Sequence, residues 1–261
     1  MRKTFKYTVI TVSTASVAAM LIFLSACNRT SSMTTTELLN QAADAAQGGN
    51  WKKTLKLSKV AVEREPSNTP AFILLAMACE NTAQSEQAIE AARKAVKLEP
   101  DNFMAQYTLG RLYAVDQNKL QDAVEPLLRA LKLRPNDPDT LLLLADCSQK
   151  LNLPKTPDYY NLIVALPAFK NRHEPWNQLG VYYAEKGNLR NAAACFKQAY
   201  ALAPDNHMIL LNFGIFFDKY LRQSERALKY YQRYMDVTAK NPEMEQKKQE
   251  IKARIKDLTS K

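Results

Sequence analysis

The chain has 261 residues, a formal net charge of +10, four cysteines, two histidines and only six glycines. Nothing in it alternates with period two for long, so strands have little support, and its cysteines form no Cys-x-x-Cys pair of the kind zinc and redox sites use. It contains no Gly-rich phosphate loop, no Gly-x-Ser-x-Gly and no His-Glu-x-x-His, which leaves catalysis little footing.

Taken in order, Arg2, Lys3 and Lys6 precede an apolar or small run from Tyr7 to Phe23, and Leu24-Ser25-Ala26-Cys27 follows. A basic start, a short apolar run and small residues mark residues 1–26 as a secretory signal peptide. The run is short for a spanning helix, and Thr8, Thr11, Ser13, Thr14 and Ser16 weaken that reading further. Leu-Ser-Ala-Cys resembles the lipobox of bacterial lipoproteins. The resemblance implies cleavage before Cys27, a diacylglyceryl thioether on its sulfur and a fatty-acylated amino terminus of the palmitate type. An ordinary secretory signal with Cys27 incidental is the alternative. Position 28 is Asn, not the Asp that resembles an inner-membrane retention signal, so an outer-membrane anchor facing the periplasm is favoured over the inner membrane. Residues 27–34 are then a Ser/Thr-rich tether that spans at most roughly 27 Å when fully extended.

Without residues 1–26 the charge is +7, of which residues 207–261 carry +5. Tyr220, Tyr230, Tyr231 and Tyr234 lie in that basic end, a mixture that can suggest nucleic acid. Export counts against it. Anionic lipid, glycan, an acidic protein or plain solvation are the remaining readings.

Pro66, Pro100, Pro135 and Pro204 are each followed by two small polar residues, at gaps of 34, 35 and 69. Pro cannot continue a helix, and the Asn, Asp or Ser after it accepts hydrogen bonds from the amides that open the next one. The clearest unit is 173–206, with Trp176, Leu179, Gly180 and Tyr183 on one helix, a break at Gly187, and Ala192, Phe196 and Ala199 on a second. This 34-residue unit resembles a tetratricopeptide repeat (TPR). The resemblance implies an all-α right-handed superhelix, an α-solenoid of about six repeats at 35–68, 69–102, 103–137, 138–172, 173–206 and 207–242. Residues 243–261 are expected to form a capping helix and tail, with Met244, Ile251, Ile255 and Leu258 on its apolar face; a free amphipathic helix on a membrane is its rival. In 69–102 Ser85 is expected to cap the second helix. Unit 103–137 has one extra residue in its turn, with Pro126 expected in the first turns of the helix after it. Unit 138–172 matches worst, because Pro154, Pro157 and Pro167 crowd and shorten its second helix.

On each first helix, repeat positions 2, 5, 9 and 12 form one stripe, because steps of three and four return to the same side. In the TPR family that stripe lines a concave groove. The implied peptide-binding residues are Ile73, Met77, Met104, Tyr107, Arg111, Leu142, Asn177, Val181, Leu211 and Ile215, with Glu80, Asp146, Gln149 and Asp218 as scattered charge and polarity. Such an apolar stripe suits an amphipathic helix or apolar peptide. The same residues also fit packing between neighbouring first helices. The Lys and Asn set that clamps a terminal carboxylate in some TPR domains is absent. His173 and His207 open two repeats, and a shared metal is the lesser reading beside helix-start polar residues. Cys79, Cys147 and Cys195 read as buried free thiols, with a pair and a leftover as the alternative. The expectation is a non-enzymatic envelope scaffold for a protein or peptide partner, held to the membrane by its lipid, with no cofactor, metal, nucleic acid or small-molecule substrate. In layout it is similar to pilotin lipoproteins of type IV pilus secretins, and to lipoproteins that recruit peptidoglycan enzymes.

Overall fold

A computed structural model describes residues 32–260; the expected signal peptide, Cys27 and most of the tether lie outside the described residues. Among the described residues there are thirteen α-helices and no strand, the all-α architecture of paired helices that the spacing implies. The chain divides into two units, with the boundary after Leu112.

The first unit holds α1 (Thr35–Gln47), α2 (Trp51–Arg64), α3 (Thr69–Asn81), α4 (Ser85–Leu98) and most of α5 (Phe103–Val115). A capping box opens α1: the Thr34 hydroxyl accepts from the Glu37 amide at 3.2 Å, and the Glu37 carboxylate accepts from the Thr34 amide at 2.7 Å. Gly49, at φ 71°, makes the turn that a side chain would resist, and Asn50 then caps α2 by accepting from the Lys53 amide. After Pro66 and Pro100, Asn68 and Asn102 accept from the Ala71 and Ala105 amides at 3.0 and 3.1 Å. Ser85 does not cap α4. It is the first helical residue, and Gln84 stands at the cap without a side-chain bond to the helix amides, because Ala83 at φ 59° closes the turn one residue earlier than the sequence suggests. The core is built from small residues: Ala76, Ala88, Ala92 and Ala95 are fully buried between α3 and α4, and Ala42, Ala61 and Ala71 join Leu38 and Leu57 between α1, α2 and α3. Each alanine removes little area from water. Their contribution is close backbone approach, which multiplies dispersion contacts along the seam.

The second unit continues from Tyr113 through a 3-10 turn (Gln117–Lys119) into α6 (Leu120–Leu133), α7 (Pro138–Lys150) and α8 (Thr156–Ala165). After another 3-10 turn (Pro167–Phe169) come α9 (Glu174–Glu185), α10 (Leu189–Leu202) and α11 (His207–Ile215). A π-turn (Phe216–Tyr220), α12 (Ser224–Thr238), a 3-10 turn (Pro242–Met244) and α13 (Glu245–Thr259) complete it. Asp137 and Asn206 cap α7 and α11 through the Thr140 and Met208 amides. Pro126 is not in the opening turn of α6. It is the seventh residue and buried, so the carbonyl one turn back has no amide to accept from there. The prolines do shorten α8, to ten residues against fourteen in α10.

Bulk replaces alanine in this core. A Cβ on Gly180 would lie 2.8 Å from the Phe196 ring, and one on Gly214 would lie 2.6 Å from the Tyr231 ring. Glycine at both places is what admits an aromatic side chain between the paired helices. Phe196, Phe213, Phe216, Phe217, Tyr231 and Tyr234 are all buried in one cluster with Ile251 and Leu258 of α13. That packing removes the free-helix reading of the C-terminal segment, and an ion pair reinforces it: Arg254 donates to both oxygens of Asp218 at 2.6 and 2.8 Å. The Tyr231 hydroxyl donates to the same carboxylate at 3.0 Å, and burial together with that carboxylate pushes its pKa up.

Candidate functional site

The structure places the ten groove candidates unevenly. In the first unit, Ile73 is buried, Met77 and Tyr107 are half-buried, and Met104 is 39% exposed. Tyr107 stacks on Phe103, one turn before it, with ring centroids 5.8 Å apart. Arg111 reaches from α5 to α3 and donates to both carboxylate oxygens of Glu80 at 2.5 Å. Two of the polar stripe residues are thus spent on each other, and the pair holds one first helix to its neighbour. The face beside them is Met77, Met104 and Tyr107, a soft apolar surface of the kind that adapts to different partners.

In the second unit the stripe splits. Leu211 belongs to the core and Leu142 is half-buried on α7. Asn177 is buried, and its side-chain oxygen accepts from Asn212 at 3.2 Å, so it ties α9 to α11. Asn177 thus sits between two first helices, and Ile73 and Leu211 are buried in the core. Val181 and Ile215 are the two candidates that the fold brings into one concavity. They line a cleft of about 240 Å³ with Ala184, Glu185, Phe196, Asn212, Phe216, Lys219 and Tyr220. Its floor is the Phe196 and Phe216 rings, 5.2 Å apart, and its rim carries one acid, one amide and one base. An apolar floor under a sparse polar rim is the form of a side-chain-binding pocket.

Phe216, Lys219 and Tyr220 were not among the sequence candidates, and the π-turn explains why. Ala227 follows Gly214 by thirteen positions, where Ala192 follows Gly180 by twelve. One surplus residue widens the end of α11 into the five-residue π-turn Phe216–Tyr220, which re-aims its side chains away from the positions an ideal helix would give. That count was available in the sequence. After α5 a similar surplus is absorbed outside the helix, in the 3-10 turn Gln117–Lys119 capped by Asp116.

His173 lies beside the residue that precedes His207. Its Nε2 lies 3.3 Å from the Asn206 amide nitrogen, and among the described residues no group of three or more His, Cys, Asp or Glu is placed to hold a metal ion. Cys79, Cys147 and Cys195 are buried and unpaired. Burial pushes all three thiols up, Cys195 to about 11, so at neutral pH they are protonated, weak nucleophiles.

Comparison with known proteins agrees with this architecture. A family model described as tetratricopeptide repeat matches residues 71–138, and a second of the same description matches 173–206. Tetratricopeptide repeat protein 37 of Xenopus laevis is 37% identical over 76 residues, or 29% of this chain, and the chain spans only 5% of that relative's length. Among solved structures, YrrB, a TPR protein with an unusual peptide-binding site, superposes with a TM-score of 0.61 at 23% identity, covering 70% of this chain and 93% of its own. PilW, a widely conserved type IV pilus biogenesis factor, superposes with a TM-score of 0.63 at 17% identity, covering 81% of this chain and 97% of its own. At these identities the likeness to the solved structures is one of fold.

Proposed function

Because this chain is a tetratricopeptide repeat protein, a fold that suggests an interaction scaffold, we propose that it works in a bacterial envelope, lipid-anchored at Cys27 and holding a partner protein by an apolar helix or peptide segment. The observation that carries the binding half is the cleft over Phe196 and Phe216, where Val181 and Ile215 meet among a few polar groups. A preformed floor lowers the ordering cost that a flexible surface would incur on binding. The role needs no catalytic group, in keeping with the non-enzymatic character typical of TPR scaffolds. The anchor half is supported by Leu24-Ser25-Ala26-Cys27 and the basic, apolar residues before it.

A narrower assignment, to the assembly of a type IV pilus, draws support from the fold-level likeness to PilW over 97% of that chain. An adaptor for peptidoglycan enzymes has no comparable observation behind it.

The test is copurification from the native host with Ile215→Arg, which puts a charge in the cleft. The variant is expected to keep its helical circular dichroism and lose the partner. Equal recovery with both proteins rejects the cleft as the binding site. Labelling with a fatty-acid analogue tests the anchor separately: incorporation lost in Cys27→Ala supports it, and equal labelling refutes it.

A further inference from the structure

The net charge hides a local imbalance near the start of the fold. No acidic residue occurs between Ala45 and Val62, yet this stretch holds Lys52, Lys53, Lys56 and Lys59. All four lie on α2 and are exposed, and none is in an ion pair among the described residues. The buried side of α2 is Thr54, Leu57, Ser58 and Ala61. At 100° per residue, Lys52, Lys56 and Lys59 fall within a narrow sector opposite it, with Glu63 closing the row at its C-terminal end. Half-buried Trp51 and Leu55 run along one flank. A row of lysines edged by an indole and a leucine is the side-chain order of a helix lying at a lipid headgroup surface.

The fold also fixes where this row lies. Helices α1 and α2 are antiparallel neighbours, and the Arg64 guanidinium at the end of α2 donates to the Met33 carbonyl, at the mouth of α1. The C-terminal end of α2 therefore sits beside the point where the tether enters the fold. From Lys59 to Lys52 the helix advances only about 10 Å. The tether back to Cys27 reaches roughly 27 Å at most.

We propose that the outer face of α2 rests on the anionic headgroups of the bilayer that holds Cys27, as a second attachment beside the lipid. This rests on the anchored reading and adds an orientation to it, since a chain held at both points has α1 and α2 lying along the membrane. It also gives the three lysines of that sector a use that cohesion of the fold does not.

The chain holds two tryptophans, Trp51 and Trp176, so Trp176→Phe leaves Trp51 as the sole reporter. The lipid-modified protein is reconstituted into phosphatidylcholine vesicles with and without phosphatidylglycerol, each carrying brominated lipid as quencher. The expected result is Trp51 quenching that needs phosphatidylglycerol and is reversed by high salt. Each lysine near an anionic surface shifts the docked-to-undocked ratio about fivefold, so Lys52→Gln, Lys56→Gln and Lys59→Gln together lower it roughly a hundredfold. Quenching that is absent, indifferent to phosphatidylglycerol or unchanged in the triple variant overturns the proposal. A triple variant that keeps its quenching but loses a copurifying protein assigns the lysines to an acidic partner instead, and overturns it equally. Failure of the anchor reads differently: protein that does not float with neutral vesicles is unanchored, and phosphatidylglycerol-dependent flotation then reports the lysine face by itself. Lys52, Lys56 and Lys59 are exposed and Trp176 is half-buried, so an unchanged thermal melt of each variant verifies that the fold is intact.

Discussion

The two units solve one packing problem with opposite materials. In the first, α3 and α4 meet through fully buried Ala76, Ala88, Ala92 and Ala95. In the second, α9 to α12 meet through Phe196, Phe213, Phe216, Tyr231 and Tyr234, with Gly180 and Gly214 making the room. The alanine seam is regular, and its turns have the same length from one pair to the next. The aromatic core comes with a π-turn, 3-10 turns and a shortened α8. The cleft holding Val181 and Ile215 lies where regularity fails, because the π-turn sets Phe216 in its floor and swings Lys219 and Tyr220 to its edge. Small residues make a rigid stack; large ones with a surplus residue make a shaped surface.

That contrast predicts opposite sensitivities. The largest effect is expected from truncating an aromatic: Phe196→Ala empties the floor of the cleft and costs about 3–5 kcal/mol, read as a lowered thermal midpoint. Enlarging the first core comes next. Ala92→Leu forces a branched side chain into a seam with no space and costs about 1–3 kcal/mol, with hydrogen exchange accelerated in α3 and α4. If Ala92→Leu is tolerated and truncation is mild, the contrast is false.

Gly214→Ala sharpens the comparison from inside the second unit. Its Cβ would stand 2.6 Å from the Tyr231 ring, so the helix propensity gained, up to about 1 kcal/mol, is offset by the displaced ring, leaving a net loss of about 1 kcal/mol in urea unfolding. Arg254→Met takes the guanidinium from Asp218, whose side chain is 10% exposed. Because Arg254 itself is 41% exposed, solvent screens the pair and the expected cost is about 1 kcal/mol, seen as faster exchange across α13 with the rest unchanged. The smallest effect is chemical. With the Cys195 thiol pushed up to about 11, only about one molecule in a thousand is thiolate at pH 8, so alkylation of the native protein is slow and quickens roughly tenfold per pH unit toward that value.

Much of this fold was legible before any coordinates. Pro66, Pro100, Pro135 and Pro204 announced helix boundaries, and Asn68, Asn102, Asp137 and Asn206 cap the helices that follow. Gly180 was readable as a close approach, since a residue without a side chain on the core face of the first helix lets the partner helix come near, and the Phe196 ring fills that place. What sequence periodicity missed were departures of a single residue. It assigned Ser85 to a cap that Ala83 had already closed by adopting a left-handed backbone, and it took the missing amide of Pro126 as cheap although the proline is the seventh residue of its helix. The groove stripe was less legible. Positions 2, 5, 9 and 12 assume an ideal helix and leave open whether a stripe residue meets a ligand or a neighbouring first helix. Glu80 and Arg111 pair with one another, Asn177 bonds Asn212, and Leu211 turns into the core, because neighbouring first helices compete with any ligand for the same side.

The central claim is that a partner docks in the cleft of the second unit. Photocrosslinking in living cells from a benzophenone at Ile215, with Tyr107 of the first unit and Gln232 on α12 as comparison positions, tests it most directly. The account predicts a discrete adduct from Ile215 that disappears in Val181→Glu and is absent from Gln232. An adduct from Gln232 with none from Ile215, or one from Ile215 indifferent to Val181→Glu, contradicts it.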